Sequence, residues 1–149
     1  MRDNIFCWHG ISTDVEGGQR FYPAVLGWDV TMEPGGPVFA SAGGALAHLQ
    51  PAQGPPSWCA FLSVPDVDAS TARAEASGGR VVVGPTDLPV GRYSVVTTPS
   101  GAVFGLYQAA KEDVLAADGP GSVHWVELHS TDVQRDLAWL GEVFGFTTS

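Results

Sequence analysis

Three side chains of this 149-residue chain, His9, His48 and Cys59, carry the donor atoms of a transition-metal site, two imidazoles and one thiol. Whether they converge depends on which way the first strand faces. A one-residue slip in a strand exchanges its faces, so either Trp8 or His9 turns inward. An imidazole titrates near neutrality, which also makes His9 a candidate proton carrier, although the sequence shows no partner for it. The plainer alternative leaves His9 and His48 as hydrogen-bonded or solvated strand residues. Glu127 and His129 sit two residues apart in SVHWVELHS, where a strand would put both on one side. Lining a cavity they would form an acid–base pair; on an open surface they would be solvated.

Other arrangements offer less chemistry. Cys59 would act as a nucleophile only beside a base in an electropositive setting. With Cys7 it forms no CxxC pattern, and in a reducing compartment both read as small, buried apolar residues. Asp66 and Asp68 in PDVDAS suit the positive end of a helix better than a catalytic pair. EGG and GPGS lack the Gly-Lys-Ser/Thr of a phosphate loop.

Composition narrows the field further. Hydrophobic residues make up 44% and charged residues 15%, which suits a folded domain with a core. A formal charge of −9 argues against nucleic acid, whose phosphates need a basic stripe, and against an anionic membrane surface. No apolar run approaches the roughly 18 residues of a membrane span, and MRDNIFCWHG lacks a signal-peptide core. The expectation is a cytoplasmic protein.

These candidates need elements to hold them. Ile5 to Ser12 reads as a strand, and Thr13 with Glu16 as a capping box opening a helix. That helix places Val15, Tyr22 and Leu26 on one face, with Phe21 and Val25 beside them. Gly17 and Gly18 weaken it, and Gly27 ends it. Strands follow at Trp28–Met32, Pro37–Ala42 and Ala45–Gln50, and QPAQGPPS is a connector. The order then recurs. Trp58–Val64 is a strand, Asp66 caps a helix to Ser77, and Arg80–Val83, Arg92–Thr98 and Ala102–Tyr107 are strands. Val123–Ser130 reads as one more strand. A helix follows, opened by Thr131 and Gln134 and striped by Val133, Leu137, Leu140 and Phe144.

The chain therefore divides into a first βαβββ module at 1–50, a linker at 51–57, a second module at 58–109, a linker at 110–121, and the β-α start of a third at 122–149. The third start repeats the first: both contain S-T-D-V, an aromatic seven residues after the Asp (Phe21, Trp139) and a Gly thirteen after it (Gly27, Gly145). Its apolar helix face and strand edge need cover. That cover is its own domain or another chain, a homodimer being the simplest assembly; alternatively the chain is a shortened form of a four-module protein.

Paired βαβββ modules, DVEGGQRFYPAVLGW, VPDVDASTARAEASGG and GRYSVVTTPSGAVFGLYQ together resemble the vicinal oxygen chelate superfamily of glyoxalases, bleomycin-resistance proteins and extradiol dioxygenases. They are most similar to its tandem glyoxalase-like subgroup. The resemblance implies an α+β fold in which paired modules form a cupped mixed sheet with helices outside. It also implies a divalent metal held by His or Glu at fixed positions. Here those positions fall on Cys7, Cys59, Trp125, Gly105 and Ala47, with His48 one residue from the last. Oxygen and nitrogen donors are missing from that set.

By the family pattern, Cys59, Phe61, Ser63, Val103, Gly105 and Tyr107 turn to the concave side, with Trp8 the candidate from the first strand. These seven are the expected ligand-binding residues, unless they only fill the cup. The resulting expectation is binding, with no cofactor, of a small, largely apolar or aromatic molecule. The alternative is a metal-dependent lyase, isomerase or dioxygenase, with a divalent ion on His9, His48 and Cys59 and with His9, Glu127 or His129 as catalytic groups. A third possibility is an interaction module whose half-repeat completes a sheet in a partner chain.

Overall fold

The computed structural model describes residues 4–110 and 119–147, which form two compact units. Most of the linker expected at 110–121 lies outside the described residues.

One unit holds described residues 7–60 and 119–126. Its elements are β1 (Phe6–Thr13, whose first residue belongs to the other unit), α1 (Val15–Leu26), β2 (Asp29–Glu33), β3 (Gly36–Ser41) and β4 (Gly44–Pro51). The strand order is β2-β3-β4-β1, antiparallel except for the parallel β1–β4 pair. Ile11, Phe39, Ala47, Leu49 and Trp28 form a buried core against which Val15 and Tyr22 of α1 pack. Phe21, Val25 and Leu26, placed on or beside the apolar helix face from the sequence, are exposed. The helix instead makes its close approach at Gly18, where an added Cβ would come within 3.0 Å of the Leu49 methyls. The glycine that weakens the helix by propensity is thus what lets it sit on the sheet.

The other unit holds 4–6, 61–110 and 127–147. It contains the end of β5 (Ser57–Ser63), α2 (Val67–Ala76), β6 (Arg80–Leu88), β7 (Gly91–Thr97), β8 (Val103–Ala109) and α3 (Val133–Phe144). The order is β5-β8-β7-β6, with β5–β8 parallel and the rest antiparallel. β6 runs five residues further than its sequence suggests, through Pro85. It ends the strand order and tolerates the missing donor through two register irregularities. Leu62, Val96, Phe104 and Leu106 pack against Val67 and Ala74 of α2 and Trp139, Val143 and Phe144 of α3.

The start of the third module departs from expectation in two ways. Residues 123–130 form no strand. The helix buries Asp136, Trp139, Val143 and Phe144, while Val133 and Leu137 of the expected stripe are exposed. Trp139 anchors this rotated face: it packs edge-on against Phe104 and Phe144, and its indole N–H donates to the Ala74 carbonyl at 3.3 Å. Asp136 is held by the turn after β7. It accepts from Thr98 Oγ1 at 2.8 Å, from the Ser100 amide at 3.2 Å and from the Ser100 hydroxyl. Burial pushes this carboxyl up, but hydrogen bonds from Ser100, Ser130 and Thr98 outweigh it and hold the group below its usual range. The apolar face of α3 is therefore covered by its own chain.

Both outer helices are capped by Asp and not by the preceding Thr. Asp14 accepts from the Gly17 amide and Asp132 from the Arg135 amide, which displaces the two expected capping boxes by one residue.

Candidate functional site

Each unit has one sheet face under helices and one turned away from them. In the unit of α1, register pairs His9 with Ala47 and Gly10 with His48. His9 therefore shares the α1 face with Ile11 and Leu49, while Trp8 and His48 occupy the opposite face. Of the two candidates from the first strand, Trp8 is the one on the face away from α1. His9 is buried, its ring 6.0 Å from Trp58 within an aromatic group that includes Tyr22 and Trp28, and burial lowers its pKa.

Trp8 and His48 lie with their rings 6.2 Å apart and 12° from parallel, and the indole Nε1–H donates to His48 Nδ1 at 2.8 Å. An indole only donates, so this bond requires an unprotonated Nδ1. Burial lowers the His48 pKa and so favours the same neutral state, an effect that a hydrogen bond with Gln50 partly offsets.

In the other unit, Phe61 pairs with Gly105 and Ser63 with Tyr107, all on the face away from α2 and α3. Val103 lies in the same row pattern and is exposed. Phe61 lies directly over Gly105: a Cβ there would overlap its ring. The space that a missing side chain opens at Gly105 is thus occupied by Phe61, which also meets Tyr93 edge-on at 6.2 Å. The Tyr107 hydroxyl donates to the Val90 carbonyl at 2.9 Å.

Hydroxyl groups divide unevenly between the two faces of this unit. On the helix side Thr71 and Ser94 bond each other at 2.7 Å and Thr98 donates to Asp136. On the other side Ser63 Oγ and Thr97 Oγ1 are buried, with no hydrogen-bond partner among the described residues. Leaving such groups unpaired costs about 1–3 kcal/mol each. Tyr93, Val95 and Thr97 were missed as members of this face, although the alternation in GRYSVVT contains the signal.

The metal arrangement of the superfamily does not fit these residues. His9 and His48 lie on opposite faces of one strand pair, so His9, His48 and Cys59 do not converge. Cys7 is buried and its thiol is pushed up to about 12, which disfavours the thiolate a metal needs. Cys59 is half-buried, and Gly105 supplies no donor. Among the described residues no group of three or more His, Cys, Asp or Glu is placed to hold an ion. Glu127 and His129 approach to 3.7 Å, and both are exposed and lie outside any strand.

The glyoxalase-like domain family matches residues 8–107. The chain belongs to that family. Among curated relatives, the anthracycline biosynthesis protein DauV of Streptomyces sp. (strain C5) is 33% identical over 146 residues, covering 82% of this chain and 53% of the relative. The anthracycline biosynthesis protein DnrV of Streptomyces peucetius is 33% identical over 141 residues, 78% of this chain and 51% of its own. The chain thus spans about half the length of the curated relatives it matches. The 2,3-dioxygenase LapB of Pseudomonas sp. KL28 shares the fold with a TM-score of 0.65 at 16% identity, over 96% of this chain and 58% of that one. A glyoxalase/bleomycin resistance protein/dioxygenase superfamily member from Vibrio splendidus 12B01 does so with a TM-score of 0.51 at 18% identity, over 69% and 97%. The fold is therefore the expected α+β glyoxalase/bleomycin-resistance fold.

Proposed function

We propose that this glyoxalase-like chain binds, without a metal, a flat aromatic small molecule with oxygens on its rim, on the face of β5, β8 and β7 turned away from α2 and α3. The observation that carries this reading is the pair of orphaned hydroxyls, Ser63 and Thr97, on a face that also bears Phe61, Tyr93 and Tyr107. A folded protein keeps unpaired buried hydroxyls at a cost, and a ligand's carbonyl or phenol groups would pair them. Aromatic side chains supply stacking area for a planar ring system. A ring that takes the place over Gly105 displaces the Phe61 side chain from it. Trp8, stacked with His48, offers a surface of the same kind in the other unit. The names of DauV and DnrV as anthracycline biosynthesis proteins support a fused-ring ligand with quinone and phenol oxygens.

The rival reading is a metal-dependent lyase, isomerase or dioxygenase, favoured by the fold shared with LapB. Calorimetric titration of chelator-treated protein with an anthracycline aglycone separates the two. Saturable binding at one ligand per chain, unchanged by added Mn²⁺ or Fe²⁺ and weakened about threefold to tenfold in Ser63→Ala, is the expected result. Binding or turnover that appears only with metal would overturn it.

A further inference from the structure

One hydrogen-bonded chain in the unit of α1 runs from Trp8 to residues that the function proposed above does not use. It starts at Trp8, whose indole N–H donates to His48 Nδ1. His48 is hydrogen-bonded to Gln50, and the Gln50 Nε2 donates to Ser12 Oγ at 2.8 Å. The indole, which has a donor and no acceptor, fixes His48 Nδ1 as an acceptor. With Nδ1 accepting, the neutral imidazole carries its proton on Nε2. The Gln50 amide nitrogen is the donor to Ser12. Ser12, having accepted, keeps its own O–H to give.

That hydroxyl stands at a hollow of about 410 Å³ between the ends of β1 and β4 and the 52–57 connector. Ser12, Gln50, Gln53 and Ser57 supply hydroxyls and amides, Pro51 and Pro55 supply apolar walls, and among the described residues no charged side chain lines it. The volume is within the usual range for a small-molecule site.

We propose that this hollow binds an uncharged, hydroxyl-rich group such as a sugar ring, with the Ser12 hydroxyl as an oriented donor and the Gln50 and Gln53 amides as donor–acceptor partners. The lining excludes the alternatives by chemistry. An anion would find no cation or helix end among these side chains, and a purely apolar ring would leave two amides and two hydroxyls facing it. Gln50 and Gln53 match alternating hydroxyls because each presents both an N–H and a C=O. The polar series behind Ser12 is pre-ordered, which lowers the entropy lost on binding.

The test is titration of the ¹⁵N-labelled protein with methyl β-D-glucopyranoside, with inorganic phosphate and 2-naphthol as contrasting probes, followed in two-dimensional NMR spectra. The proposal expects saturable shifts of the Gln50 and Gln53 side-chain amides with the glucoside alone. Affinity should fall about threefold to tenfold in Ser12→Ala and in Gln50→Met, both of which keep well-dispersed spectra. No glucoside shift up to 100-millimolar order, equal shifts in the two variants, or preferential response to phosphate or naphthol would each overturn it. An aromatic ligand acting on the Phe61 face would shift different residues, so failure here leaves the function proposed above standing, and the reverse.

Discussion

The two copies of S-T-D-V make the same helix and treat the residues before it differently. α1 and α3 both run twelve residues, both are capped by the Asp of the motif, and both end on a glycine in the left-handed region, Gly27 at φ 67° and Gly145 at φ 73°. Ahead of the first copy stands β1, paired in parallel with β4 of its own module. Ahead of the other, 123–130 form no strand, and Trp125 is 78% exposed. Helix ends are written locally: one carboxylate satisfies an amide, one glycine accepts a positive φ. A strand is written only in part, because its amides and carbonyls need a second strand. In both complete modules the first strand pairs with the last strand of the same module, and the third start has no such strand among the described residues.

The helix faces separate the copies most strongly. Trp139→Ala removes a buried indole and its bond to Ala74, and should cost about 3–5 kcal/mol in urea denaturation. Phe21→Ala, at the same place in the first motif, lies on an exposed side chain and should cost under about 0.5 kcal/mol. Equal costs would break the comparison.

Next in size is Asp136→Ala, which strips Thr98 and Ser100 of their acceptor and should cost about 1–3 kcal/mol. Its pH dependence has a definite sign. The folded carboxyl is held below its ordinary range, so its contribution is complete above the unfolded-state value and is lost as pH falls through the folded one. Wild type should therefore lose stability in acid more steeply than Asp136→Asn, as followed by circular dichroism. Parallel curves would contradict the assignment.

The caps should agree where the faces differ. Asp14→Ala and Asp132→Ala each lose one cap bond and should each cost about 1 kcal/mol. The smallest expected effect compares hydroxyls on the two faces of one unit. Ser94→Ala breaks a paired group and should destabilise by about 1 kcal/mol, whereas Ser63→Ala removes an orphan and should leave stability unchanged or slightly raised. A loss in Ser63→Ala equal to that in Ser94→Ala would mean that Ser63 already has a partner.

Much of this was legible in the letters. The βαβββ order and the Asp66 cap follow from alternation and from turn residues, whereas the inward rows of β5 and β8 were expected from the family resemblance. Three things were not. The true face of α3 is set by where Trp139 and Asp136 find partners 38 to 65 residues away, which helical periodicity alone does not encode. The faces of His9 and His48 depended on strand register, and a one-residue uncertainty reversed them. The filling of Gly105 by Phe61 is a rotamer choice, invisible until the two strands are laid side by side.

The most direct test of the central claim is to map, by amide shifts in NMR, where an anthracycline aglycone sits on the metal-free protein. The account predicts perturbations concentrated on Phe61, Ser63, Thr97 and Gly105, with Phe61 leaving its place over Gly105. Perturbations confined to the helix-side residues, or none without added metal, would contradict it.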